Sequence, residues 1–222
     1  SRQSLEMQPN FKRVPASICI ADVTGDGMPD VIQVGYVDDS NILAKPPLDE
    51  QGNVSITVSP GNFGGAVDCL FENRGDGRFS QHGLTDLADA RTGLGIVVAD
   101  FDGEPGNELL IGNDSLPNRL WKLVETGQNE LKKVDLASVL GCAYGFSGGA
   151  TGAMGIAVGD FDQDAKMDLH VTNYENENSN LYLRRGKAFK DRNRQFGLDQ
   201  ISRDLVGFGT QPIDYDNDRD TD

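Results

Sequence analysis

Short apolar runs with a period of two alternate along the chain with acidic, glycine-bearing loops. Ile18 and Ile20, Ile96 and Val98, and Ile156 and Val158 each take every second position of such a run, which predicts a strand. Ala21, Ala99 and Gly159 put small residues on the other face, as in a strand covered on both sides. Beyond each loop lies a second β-rich run, at 31–34, 109–111 and 169–171. A third strand opens at Leu70-Phe71, Leu120-Trp121 and Leu181-Tyr182, and glycines at 75–77, Gly127 and Gly186 turn the chain into a fourth. The best helical candidate, 131–140, has apolar positions that also fit a strand plus a loop.

These runs are copies of one unit. SICIADVTGDGMPDVIQVGY, LGIVVADFDGEPGNELLIGND, MGIAVGDFDQDAKMDLHVTNY and GFGTQPIDYDNDRDTD align, and their first aspartates, Asp22, Asp100, Asp160 and Asp214, stand 78, 60 and 54 residues apart. Four antiparallel strands in about 55–60 residues describe a propeller blade. The expected fold is therefore all-β, a β-propeller of four-stranded antiparallel blades. Blade one covers 14–88, blade two 92–140, blade three 150–200, and a fourth starts at 205–222. Blade one carries an insertion at 37–67, rich in Pro, Gly, Asp and Ser, with its own β-like run at 54–58. Loops of this length tend to be functional or mobile.

The loops place oxygen donors at positions 1, 3, 5, 7 and 9. Loop one offers Asp22, Thr24, Asp26, the Met28 carbonyl and Asp30; loop two offers Asp100, Asp102, Glu104, the Gly106 carbonyl and Glu108. Loop three offers Asp160, Asp162, Asp164, the Lys166 carbonyl and Asp168; loop four offers Asp214, Asp216, Asp218, the Asp220 carbonyl and Asp222. Calcium takes six to eight hard oxygens in a flexible cage, whereas magnesium needs a tighter octahedron and soft metals want Cys or His. Two to four Ca²⁺ ions are the expected cofactors. Asp-Gly turns also favour plain hairpins, but a hairpin does not need acid at four of these positions at once. In loop two, two Glu and Pro105 weaken the pattern. An EF-hand is excluded, because position 12 is Gln33, Ile111 or Val171 and the flanks read as strands.

Charge sharpens this picture. The 222 residues carry 35 acidic and 20 basic side chains, a net charge of −15, and 16 of the acids lie in the loops. Such a chain is repelled by phosphate backbones and anionic lipid, so nucleic acid is not an expected partner. No apolar run is long enough to span a bilayer. The chain starts at Ser1 with no charged and apolar leader, so a signal peptide is expected to have been removed already. Cys19, Cys69 and Cys142 lack zinc spacing, and one disulfide is open to an extracellular protein.

At these residues the sequence resembles the FG-GAP, or VCBS, repeats of integrin α-subunit heads and bacterial surface proteins. GIAVGDFDQDAKMDLHVTNY, NLYLRRGKAFKD and LFENRGDGRFSQHGL resemble in particular the ASPIC/UnbV and cartilage-acidic-protein branch. The resemblance covers about residues 14–222. It implies a seven-bladed ring, calcium in the loops, and a secreted, cell-surface or periplasmic home. Three blades and the start of a fourth cannot close such a ring, so further blades, in this chain or another, are expected partners.

Other motifs are read as structural. Arg74-Gly75-Asp76 spells an integrin-binding tripeptide but lies in a predicted turn. Asn53-Val54-Ser55 and Asn113-Asp114-Ser115 match the glycosylation pattern. The glycine-rich stretch 145–155 reads as a connection between blades. Trp121 and Tyr182 hold equivalent positions and read as inter-blade packing, and His170 reads as structural. The expected function is an extracellular, calcium-stabilised binding or adhesion module for a protein or glycan, without catalysis. The alternatives are a carbohydrate lyase or dehydratase on the same scaffold, or a structural subunit of a larger complex.

Overall fold

The structure is a computed structural model that describes residues 13–40, 42, 45–46, 48–54, 60–104, 106–126, 131–218 and 220–221. It is all-β: among the described residues, twelve strands form three four-stranded antiparallel sheets, each ordered as the strands follow in sequence. The first sheet comprises β1 (Arg13–Ala21), β2 (Asp30–Asp38), β3 (Cys69–Asn73) and β4 (Phe79–Gly83). The second comprises β5 (Gly93–Ala99), β6 (Glu108–Asn113), β7 (Arg119–Glu125) and β8 (Leu131–Asp135). The third comprises β9 (Ile156–Gly159), β10 (Asp168–Val171), β11 (Asn180–Arg185) and β12 (Ala188–Asp191). Among the described residues, helix is confined to single turns, α1 (Ala137–Leu140) and α2 (Leu198–Ile201), and three short 3₁₀ turns. The segment 131–140 is thus a strand followed by one helical turn.

The period of two sorts each strand between two cores. On β6, Leu109 and Ile111 face the first sheet, joining Ile32, Val34 and Leu70. Leu110 faces the third sheet and meets Leu169, Val171 and Tyr182. All six residues of β6 are buried, which is why its sequence reads as a continuous apolar run rather than an alternation. Trp121 sits opposite Leu109 and Tyr182 opposite Leu169, so both aromatics hold the same register and face the preceding sheet. Their reading as packing residues agrees with this placement. Phe101 closes the second core, edge-on to Phe189 with ring centroids 6.2 Å apart.

The sheets meet along their first strands. Ser17 Oγ on β1 donates to the Leu94 carbonyl of β5 at 2.5 Å. One repeat on, a Cβ at Gly95 would lie 2.5 Å from the Met154 carbonyl; a further repeat on, a Cβ at Gly155 would lie 3.1 Å from the Phe208 carbonyl. The glycines let neighbouring backbones approach where a side chain would clash. Residues 207–213 therefore lie beside β9 as β9 lies beside β5, and His170 Nδ1 meets Thr210 Oγ1 at 2.8 Å on that flank.

The insertion after β2 folds back on its own sheet. Val37 bridges Gly65, Ala66 bridges Arg91, and Asp38 N–H donates to the Gly64 carbonyl at 3.0 Å. Of the β-like run 54–58, Val54 bridges Leu48, and 55–58 lie outside the described residues. Gly127 also lies outside them. The Arg74-Gly75-Asp76 tripeptide forms the β3–β4 turn. There Gly75 and Gly77 take left-handed φ of 82° and 80°, Arg74 pairs with Glu72, and Asp76 pairs with Arg78. Asn113 is fully buried and donates from Nδ2 to the Pro117 carbonyl at 2.9 Å, which makes it a loop strut rather than a glycan acceptor. Cys19, Cys69 and Cys142 are free thiols.

Candidate metal centre

The acidic loops join the first and second strands of each sheet, and a fourth follows 207–213. Each begins by folding over its first aspartate. Asp22 accepts the N–H groups of Gly25 at 2.7 Å and Gly27 at 2.9 Å. Asp100 accepts that of Gly103 at 2.6 Å; Asp160 accepts those of Asp164 and Ala165 at 3.0 and 2.8 Å; Asp214 accepts that of Asp218 at 3.1 Å. Position four is left-handed in all four loops: φ is 82° at Gly25, 79° at Gly103, 59° at Gln163 and 63° at Asn217. Glycine takes this conformation freely, whereas Gln163 and Asn217 hold it at a cost, so the loop shape does not depend on glycine.

The ninth position behaves differently from the rest. Asp30, Glu108 and Asp168 are each 0% exposed. Asp30 accepts Val23 N–H at 3.2 Å through Oδ2 and Asn73 N–H, on β3, at 2.9 Å through Oδ1. Asp168 accepts Phe161 N–H at 3.0 Å and Arg184 N–H, on β11, at 2.7 Å. This carboxylate therefore staples the loop to the third strand of its sheet. Burial pushes the Asp168 and Glu108 carboxyls above their usual range, against the pull of these N–H donors.

Three of the four loops bring carboxylates together. Oxygens of Asp100, Asp102 and Glu108 lie within 4.8 Å of one another, as do those of Asp160, Asp162 and Asp168, and of Asp214, Asp216 and Asp218. In loop one, Thr24 stands where the others have Asp, and its Oγ1 donates to Asp30 Oδ2 at 3.2 Å. No comparable group forms there among the described residues. Glu104 turns outward to Lys187, with Nζ–Oε1 at 2.9 Å. The fifth-position carboxylates Asp26, Asp164 and Asp218 accept the N–H groups of Met28, Lys166 and Asp220, which fixes the peptides around the seventh position. Gly106 is left-handed with φ 110°. Pro105 and Asp222 lie outside the described residues.

Side chains from neighbouring strands reach these groups, and no local motif announces them. Lys122, opposite Glu108 in the β6–β7 register, places Nζ 2.6 Å from Asp102 Oδ2 and 3.2 Å from Glu108 Oε1. Burial alone would raise the Asp102 carboxyl, but Lys122 and the Glu104 N–H together outweigh it and hold the group low. Arg185 pairs with Asp162, and its Nη1 lies 3.3 Å from Asp164. Lys166 Nζ lies 2.6 Å from Asp164 Oδ2 and holds that carboxyl low.

The donor set fits a hard cation. Every converging atom is a carboxylate oxygen, and Asp162 Oδ1 is buried without a hydrogen-bond partner. Loops one and two also flank a shared cleft of about 480 Å³, across which Asn107 Nδ2 donates to the Asp22 carbonyl at 3.4 Å.

A second cleft, of about 410 Å³, opens where the first strands begin. It is lined by Ala16, Leu94, Met154 and Phe208, which hold the same position in four successive repeats, and by the residues that follow each of them. The fold and loops together define an all-β repeat protein whose sheets each open on an acidic loop. In sequence comparisons, no family model and no curated protein matches this chain.

Proposed function

We propose that this chain is a section of a calcium-stabilised β-propeller of the FG-GAP type, acting as an extracellular binding or adhesion module. The carrying observation is the cleft of about 410 Å³ lined by one equivalent position from four repeats. Equivalent residues gather around one line when repeats are arranged radially, as blades are. The serial contacts Ser17–Leu94, Gly95–Met154 and Gly155–Phe208 support the same arrangement. The carboxylate groups of loops two, three and four, with hard oxygens alone, support calcium rather than a soft metal. Among the described residues, those that line this cleft carry no ionisable side chain, which favours docking over proton transfer there.

In this reading, calcium supplies charge neutralisation, and Asp160, Asp162 and Asp168 hold it in loop three. Lys122 and Arg185 give way to the ion or remain beside it as counter-charges. The test is calcium titration of the intact protein by calorimetry, with melting followed in calcium and in chelator. Saturable binding, and a melting temperature that falls on chelation, are expected. Loops two to four that take up no calcium at millimolar concentration would overturn the assignment.

A further inference from the structure

Lys122 follows Trp121 on β7 as Leu183 follows Tyr182 on β11, and the two aromatics hold the same register in their sheets. One position is therefore an ammonium in the second sheet and a hydrocarbon in the third. Leu183 is 0% exposed, whereas Lys122 sends Nζ into loop two, 2.6 Å from Asp102 Oδ2 and 3.2 Å from Glu108 Oε1. The Lys122 side chain is only 19% exposed, so its charge is held in the loop rather than in solvent.

The ninth residue of the loop differs in step with it. In loop three, Asp168 gives Oδ2 to the Phe161 N–H and Oδ1 to the Arg184 N–H. In loop two, Glu108 is one methylene longer. Its Oε2 takes the N–H groups of Phe101 at 2.7 Å and Asp102 at 3.2 Å, and Oε1 is left toward Lys122. Loop three also meets a cation, but from the rim: Arg185, 38% exposed, pairs with Asp162 and Asp164. Lys122 instead touches two of the three acids that converge in loop two, one of them fully buried.

We propose that Lys122 is the resident cation of loop two, holding Asp102 and Glu108 together without a metal and competing with calcium for their oxygens. This rests on the calcium reading of the loops. Calcium seated on both carboxylates at about 2.3–2.6 Å would lie close to Nζ, where like charges repel and the same oxygens are claimed twice. The ammonium must therefore swing out before the ion enters, and loop two fills after loop three. Arg185 has solvent beside it and leaves its acids at less cost.

The test is a calcium titration of the isotope-labelled intact protein, followed by backbone amide shifts at 100–104 and 160–168. In the parent, loop three is expected to saturate at calcium concentrations about tenfold or more below those loop two needs. Lys122→Leu, which installs the third-sheet residue, should strengthen loop two by about tenfold or more and leave loop three unchanged. In chelator this variant should melt below the parent, and calcium should close the gap. A lysine that merely packs would cost the same under both conditions. If Lys122→Leu does not fold, the parent's order of filling decides. Loops that fill together in the parent, or no gain at loop two in Lys122→Leu, would overturn this inference and leave the calcium reading standing. No response to millimolar calcium in either loop would overturn both.

Discussion

Ser17 Oγ donates a 2.5 Å hydrogen bond to the Leu94 carbonyl, and this one contact joins the first strand of the first sheet to the first strand of the second. Gly95 and Gly155 repeat the approach with no side chain at all. The same position thus sets a close approach between neighbouring sheets in each repeat. At Gly95, a methyl group would lie 2.5 Å from backbone oxygen. Gly95→Ala should therefore cost about 1–3 kcal/mol in urea unfolding. Ser17→Ala, which only loses a bond, should cost about 1 kcal/mol. Unchanged stability in Gly95→Ala would contradict the close approach.

The two ends of one loop should respond differently to calcium. Asp168 staples loop three to β11 through Phe161 and Arg184 N–H groups besides belonging to the carboxylate group, so Asp168→Ala should lose about 2–4 kcal/mol even in chelator, and more in calcium. Asp160→Ala should lower the melting temperature mainly in calcium. Equal losses under both conditions for Asp160→Ala would mean that it serves hairpin geometry alone.

Asp68 sets a pH dependence that no motif foretold. It is buried beside Gly35, whose N–H it accepts at 2.9 Å, and burial pushes its carboxyl up to about 6 from 3.8. The native state then holds a proton that the unfolded chain has released, so its contribution is fully present below pH about 4. That contribution is lost as pH rises through about 6. Asp68→Asn should accordingly stabilise the protein near neutral pH by up to about 3 kcal/mol and give little below pH about 4. Melting curves at both pH values check this, and a gain of equal size at each would refute it.

Ala165 is held at φ 60°, a conformation that costs an L-residue about 1–2 kcal/mol. Ala165→Gly should therefore raise stability by about 0.5–1 kcal/mol, the relief being partly offset by unfolded-chain entropy. Chemical denaturation gives the answer directly, and a destabilised variant would show that the strain is absent.

Ile18 and Ile20 are 64% and 67% exposed on β1, while their counterparts Ile96 and Val98, and Ile156 and Val158, pack against the preceding sheet. As an isolated 222-residue polypeptide, the protein should associate with rising concentration through this face, and Ile18→Lys with Ile20→Lys should suppress it. A monodisperse parent in sedimentation would show that the face needs no cover.

The sequence by itself determined the repeat, the order of strands within each sheet and the acidic loops. Period-two apolar runs and alternating acids are local patterns, and a hairpin meander needs no distant information. The shared placement of Trp121 and Tyr182 was legible for the same reason. Only the tertiary structure decided which loop acids converge and which turn away. Asp30 and Asp168 read as ligands like their neighbours, and each is also tied to the third strand of its sheet by an amide, of Asn73 and Arg184, 43 and 16 residues away. Lys122 and Arg185 enter the loops from another strand. Burial and partners across strands depend on which backbones lie side by side, and that is settled by packing of the whole chain rather than by any local run of residues.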